Sequence, residues 1–239
     1  MIEDPFDFPY RRGNFTEWAP SLLKRMHELD NIHIKEDICY SLPAPDLSGA
    51  NVLVIGGGGS ANQVSTEGYD YIVSMNHFFL NEKFSQTKID LVGVGAGVNL
   101  RDLKLLKYIR EFSPTLAFEI HPNWSPTSYA HLEGAFKLFY HTHVYGKIGM
   151  AVRLINLAAA LGATSISFIG LDGPEAILAG NHAFQPGKTD LPSFLHEGNA
   201  SIIHQAQYDH FWSYIRNLYP NTKFISIDKK NKYHQVLRT

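Results

Sequence analysis

An α/β fold built on a mostly parallel sheet, in a single domain, is what this sequence predicts, and three observations predict it. Six short β-rich runs alternate with helical stretches after residue 50. Several of these runs are continuously apolar rather than alternating, the pattern of strands covered by helices on both faces. The composition, 44% apolar and 18% charged in 239 residues, suits a chain that buries one large core.

Residues 1–50 read as an N-terminal helical extension packed on that core. Pro5, Pro9, Pro20, Pro43 and Pro45 punctuate it, leaving one helix, Glu17 to Leu29. From Asn51 the strands follow in order: Val52 to Ile55, Tyr71 to Met75, Ile89 to Val94, Thr115 to Glu119, Ser165 to Ile169 and Lys223 to Ile227. Helices are expected over Asn99 to Phe112, Lys147 to Leu161 and Ala200 to Tyr219, each ending near a stop signal, Pro114, Gly162 and Pro220. The stretch 120–146, rich in His, Tyr, Trp and Pro with weak periodicity, reads as a short lid-like insertion. Residues 51–239 together read as a Rossmann-like nucleotide-binding domain with helices on both faces of its sheet.

Composition also excludes classes. No apolar run reaches the ~20 residues of a membrane span, and Met1 to Asp7 is acidic where a secretory signal is basic, so a cytoplasmic location is expected. The single cysteine, Cys39, rules out an internal disulfide and a multi-thiolate metal site. With 21 basic and 23 acidic side chains there is no electrostatic footprint for nucleic acid. The aromatic stripe Tyr208, Phe211, Trp212 and Tyr214 suits either a homo-oligomer interface or packing on the sheet.

The first core strand runs into Gly56-Gly57-Gly58-Gly59-Ser60. Glycines let consecutive N–H groups approach a phosphate, and the carboxyl edge of an open α/β sheet is where ligands bind. Asn76 ends the second strand with a neutral amide suited to a nucleotide, and the third ends in a second glycine loop around Gly95. The strand Ser165 to Ile169 leads to Asp172 at the same edge, able to bind ribose, orient a catalytic group or act as a base, or simply to cap the segment that follows. Beyond it, the loop Gly180 to Lys188 reads as a mobile cover whose His182 and Lys188 offer positive charge to a phosphate. His141 and His143, two apart on one face of a strand, are candidates for proton transfer rather than for metal binding, since no carboxylate stands beside them at ligand spacing.

Val54 to Ser60, Ser74 to Phe79, Gly149 to Gly162 and Phe168 to Asp172 occur in an order that resembles the bacterial sialyltransferases of glycosyltransferase family 42 and the Maf-type motility-associated proteins. The likeness covers about residues 51–185. It implies a pocket for a CMP-activated sugar lined by Gly56, Gly58 and Ser60, with Asn76 on the nucleotide. It places His141 near the family's general base, with His143 competing. The family's loop Asn and Pro are Gly57 and Gly59 here, and Tyr140 and Tyr145 are the substitutes for its phosphate-binding tyrosines.

The function expected is transfer of a sialic-acid-like sugar from a CMP donor to an acceptor hydroxyl, with no cofactor. Two alternatives stand beside it. One is Mg²⁺-dependent pyrophosphoryl transfer, since the first loop also resembles that of archaeal pterin pyrophosphokinases. The other is a non-catalytic nucleotide-binding module.

Overall fold

The computed structural model describes residues 31–35, 38–95, 97–120, 129, 132, 135–142, 149–190 and 200–238. Among the described residues nine strands form one sheet: β1 (Ile32–Lys35), β2 (Ile38–Ser41), β3 (Asn51–Ile55), β4 (Tyr71–Met75), β5 (Leu91–Val94), β6 (Thr115–Glu119), β7 (Phe136–Thr142), β8 (Ser165–Ile169) and β9 (Lys223–Ser226). Their order across the sheet is β1-β2-β7-β6-β5-β4-β3-β8-β9. All pairs from β7 to β9 are parallel, while β1 and β2 add antiparallel to β7. The fold is therefore the Rossmann-like α/β class that the sequence predicts.

The central strands are apolar because they are covered on both faces. Val52, Leu53, Val54 and Ile55 of β3 and Phe168 of β8 are fully buried. Five helices accompany the described sheet: α1 (Glu82–Ser85), α2 (Leu103–Phe112), α3 (Met150–Ala160), α4 (Pro174–Leu178) and α5 (Ala200–Leu218). Nearly every residue of α3 is buried, as befits a helix laid across β3, β4, β7 and β8. The aromatic stripe of α5 packs inward, with Trp212 stacked on Phe168 at 4.7 Å between ring centroids.

Two sequence expectations need correction. Ile32 to Ser41 is a strand pair on the edge of the sheet, not part of a helical extension; the expected helix Glu17 to Leu29 lies outside the described residues. The presumed insertion contains β7, a strand inside the sheet, paired with β6 from Phe136 to Tyr140. Its bulky aromatics mask the period-2 pattern, because it is covered on both faces toward its carboxyl end.

After β3 the chain winds outward through β4, β5, β6 and β7, then returns to lay β8 on the other side of β3. Strand order thus reverses between β3 and β8. Loops leaving these two strands in opposite directions open a crevice at their carboxyl ends.

Candidate functional site

That crevice is occupied at its base by the two glycine-bearing loops packed on each other. The Gly56 amide donates to Ile169 O at 2.8 Å, and the Gly58 amide to Gly170 O at 2.8 Å. The backbones come so close that a Cβ on Gly56 would lie 2.4 Å from Gly170 O. Glycine is required there by proximity.

The next turn, Gly59–Gln63, is capped from across the crevice. Asp172 accepts the Ser60 amide at 2.8 Å on one oxygen and the Ser60 hydroxyl at 2.5 Å on the other, while Ser60 Oγ in turn accepts the Gly170 amide at 3.1 Å. Side chains fill the space that the other glycines leave. A Cβ on Gly57 would meet the His182 ring, one on Gly58 the Asp172 carboxylate, and one on Gly59 the Asn181 amide. The expectation that Gly56, Gly58 and Ser60 present open amides to a phosphate is therefore corrected. Those amides are spent on Ile169, Gly170 and Asp172, and the glycines admit protein groups.

A cavity of about 290 Å³ opens beside this packed bend, near the lower end of small-molecule sites at ~300 Å³. Gly57, Gly58, Asn76, Asp172 and His182 line it, together with the start of α3 at Gly149, Met150 and Ala151. Leu171, Ile177 and Tyr208 supply an apolar and aromatic wall. Of the residues singled out from sequence, the structure brings five to this cavity.

The amino end of α3 was not anticipated as part of the site. Gly149, with φ 87° and ψ −176°, holds a conformation open essentially only to glycine, and it offers no side chain to cap the helix. The amino end of this 11-residue helix, where the first-turn amides and the positive end of the helix dipole gather, therefore borders the cavity. A lone glycine just before a periodic apolar run was the available signal.

Asn76 sits at φ 49°, a left-handed conformation that asparagine tolerates. Its Oδ1 accepts the Gly95 amide at 2.8 Å, which fixes the side-chain amide so that Nδ2, without a partner among the described residues, is left for the cavity. Gly95 thus positions Asn76 and does not itself line the cavity; its own Cβ would press on Asn76 Oδ1 at 3.0 Å.

His182 is held from both sides. Ala183 N donates to Gly57 O at 2.8 Å, and Asn81 Nδ2 donates to Ala183 O at 2.8 Å. Phe184 is 2% exposed and meets Phe84 edge-on. Residues 182–184 are stitched to the body rather than forming the mobile cover expected. The amides of Phe184 and Gln185 donate to Nδ1 at 3.2 and 3.1 Å, so the neutral ring carries its proton on Nε2. Burial, reinforced by the charges of Lys188 and His77, pulls the His182 pKa down to about 4. At neutral pH His182 is a fixed, uncharged donor. Lys188 lies exposed, donates to Gln185 Oε1 at 3.1 Å, and acts on the site through its charge alone.

This depressed pKa has a sign. Between its usual 6.5 and about 4 the unfolded chain binds the His182 proton and the folded chain does not, so folding stability rises with pH across that window. The melting temperature is expected to fall as pH drops from 6.5 to 4, and His182→Asn is expected to flatten that slope. Equal slopes in the two proteins would contradict the assignment.

His141 does not join the cavity. It is 1% exposed, with Nδ1 at 3.2 Å from Ile120 O, on a strand four positions from β3, on the order of 19 Å across the sheet at ~4.8 Å per strand. Tyr140 beside it is fully buried, and burial, with Glu119 nearby, pushes its pKa up. His143 and Tyr145 lie outside the described residues.

On the far side of Asp172 a second, more open groove of about 1130 Å³ runs between the turn Gly59–Gln63 and the loop after β9. Asp172 borders both spaces. No group of three or more His, Cys, Asp and Glu side chains suited to a metal ion occurs among the described residues, and none of their helices is long and apolar enough to cross a membrane. Compared with known protein families and with curated proteins, the sequence matches none.

Proposed function

We propose that this protein transfers a sugar from a nucleotide-activated donor, CMP-linked by the resemblance noted above, to an acceptor hydroxyl. The observation that carries the reading is the convergence of hydrogen-bond donors on one small cavity at the strand-order reversal. These are the α3 amino end, Asn76 Nδ2 and His182 Nε2–H, set beside an apolar wall fit for a base and ribose. Uncharged donors fixed in advance stabilise charge that develops on a leaving phosphate without reorganising.

In this reading the donor lies in the smaller cavity and the acceptor in the groove. The anomeric carbon loses its bond to the phosphate oxygen, which keeps the electron pair and is received by the α3 amides and His182. A new bond forms from the acceptor oxygen to that carbon. Its proton passes to Asp172, the one carboxylate among the described residues that borders both spaces. The Ser60 amide and hydroxyl use one acceptor position on each Asp172 oxygen and orient the group, leaving lone pairs for the acceptor. In this proposal Asp172 takes the role that the resemblance gave to His141 or His143.

Calorimetric titration with CMP, UMP, GDP, ATP and NAD, each with Mg²⁺ or EDTA, tests this reading. CMP is expected to bind equally well in both. Binding confined to Mg²⁺–ATP, or no nucleotide binding at all, would overturn it.

A further inference from the structure

Charge in the second groove is distributed unevenly between satisfied carboxylates and unsatisfied cations. Glu175 accepts the Ser201 hydroxyl at 2.6 Å, the Tyr233 hydroxyl at 2.5 Å and the Lys232 ammonium at 2.5 Å. Burial alone would raise its pKa, but these three donors hold it at about 2. Asp172 is engaged by Ser60, and Asp228 Oδ1 accepts the Lys230 amide at 3.0 Å. Lys229 and Lys230, by contrast, form no ion pair among the described residues, and both border the groove. So do Gln63 and Asn181, whose side-chain amides have no hydrogen-bond partner among the described residues.

An unpaired pair of ammonium groups beside two open amides is a donor-rich surface. Amides recognise hydroxyl groups in either direction, and ammonium groups recognise carboxylate or phosphate. A neutral polyol would leave the lysines unused, and a bare anion would leave the amide oxygens without a donor.

We propose that this groove is the acceptor subsite and that it selects an anionic sugar, one carrying a carboxylate or a phosphate. The anion lies toward Lys229 and Lys230, and the hydroxyl to be glycosylated lies toward Asp172. This inference rests on the transfer reading for the role of the groove, while binding itself can be tested without it.

The test titrates glucuronate, glucose 1-phosphate and glucose into the full chain at low ionic strength, by calorimetry. The same probes are titrated into a Lys229→Glu/Lys230→Glu double variant. Wild type is expected to bind one or both anionic probes and glucose about tenfold less well, and the variant to lose about tenfold for the anions, as befits two exposed charges. Comparing glucuronate with glucose 1-phosphate tells a carboxylate site from a phosphate site. An unchanged melting temperature confirms that the variant is folded. Equal binding of glucose, anion binding that survives the double charge reversal, or no binding of any probe would overturn the proposal. CMP titration of the wild type separates the two readings: anion binding without CMP binding refutes the transfer function and leaves the anion site standing. CMP binding without anion binding does the reverse.

Discussion

Asp172→Asn is expected to lower sugar transfer about 10³-fold, within the ~10²–10⁴ that a positioned base contributes, with little change in donor KM. The substitution keeps the size of the side chain and removes its capacity to take a proton. The groups proposed to bind the donor, the α3 amino end, Asn76 and His182, are untouched. Fold cost is small because asparagine also caps well: loss of one of the two bonds to Ser60 amounts to about 1 kcal/mol. A purely structural role would predict a different pair of results, a lowered melting temperature with kcat intact. Steady-state kinetics beside thermal melts therefore decides between base and cap, and a variant that retains full turnover would remove Asp172 from the mechanism.

Gly170→Ala carries the largest expected loss of stability, about 2–5 kcal/mol, measured by urea unfolding. Its φ of 77° lies in the left-handed region, which costs a side-chain-bearing residue ~1–2 kcal/mol. The added Cβ would also stand 2.4 Å from Gly56 O, a backbone atom that cannot swing aside, and overpacking of that kind costs ~1–3 kcal/mol. Gly187→Ala is the control. Its φ of 82° imposes the same backbone strain, but nothing lies within 4 Å of the new Cβ, so a loss of only ~1–2 kcal/mol is expected. Equal losses at the two positions would show that contact between the β3 and β8 loops does not hold the crevice together.

The parallel core was legible in the sequence because its physics is local. Tyr71 to Met75, Thr115 to Glu119 and Ser165 to Ile169 are strands with the expected bounds, since a doubly covered strand must be apolar along its length. Edge strands carry no such mark. Ile32 to Lys35 has only half-exposed and exposed positions and is a strand because β2 lies beside it, a fact of pairing rather than of composition.

The site was legible by position and not by role. Glycines at 56–59 announced a close approach at the right strand end, but sequence does not say whether a ligand or a side chain makes that approach. Here His182, Asp172 and Asn181 do. His141 looked catalytic by type and lies in the core by topology. The amino end of α3 reaches the cavity because the chain crosses back over the sheet from β7, a long-range placement for which Gly149 before an apolar run signals only the helix start.

On the proposed reading the phosphate sits between the amino end of α3 and His182, which line one cavity, beside the packed glycine bend rather than inside it. A crystal structure of the protein with CMP tests this most directly. The phosphate is expected within hydrogen-bond distance of the first-turn amides at Met150 and Ala151 and of His182 Nε2, with the base against Tyr208 and the bond between Asp172 and Ser60 intact. A phosphate seated among the amides of residues 56–60 with Asp172 displaced, or CMP bound elsewhere on the molecule, would contradict it.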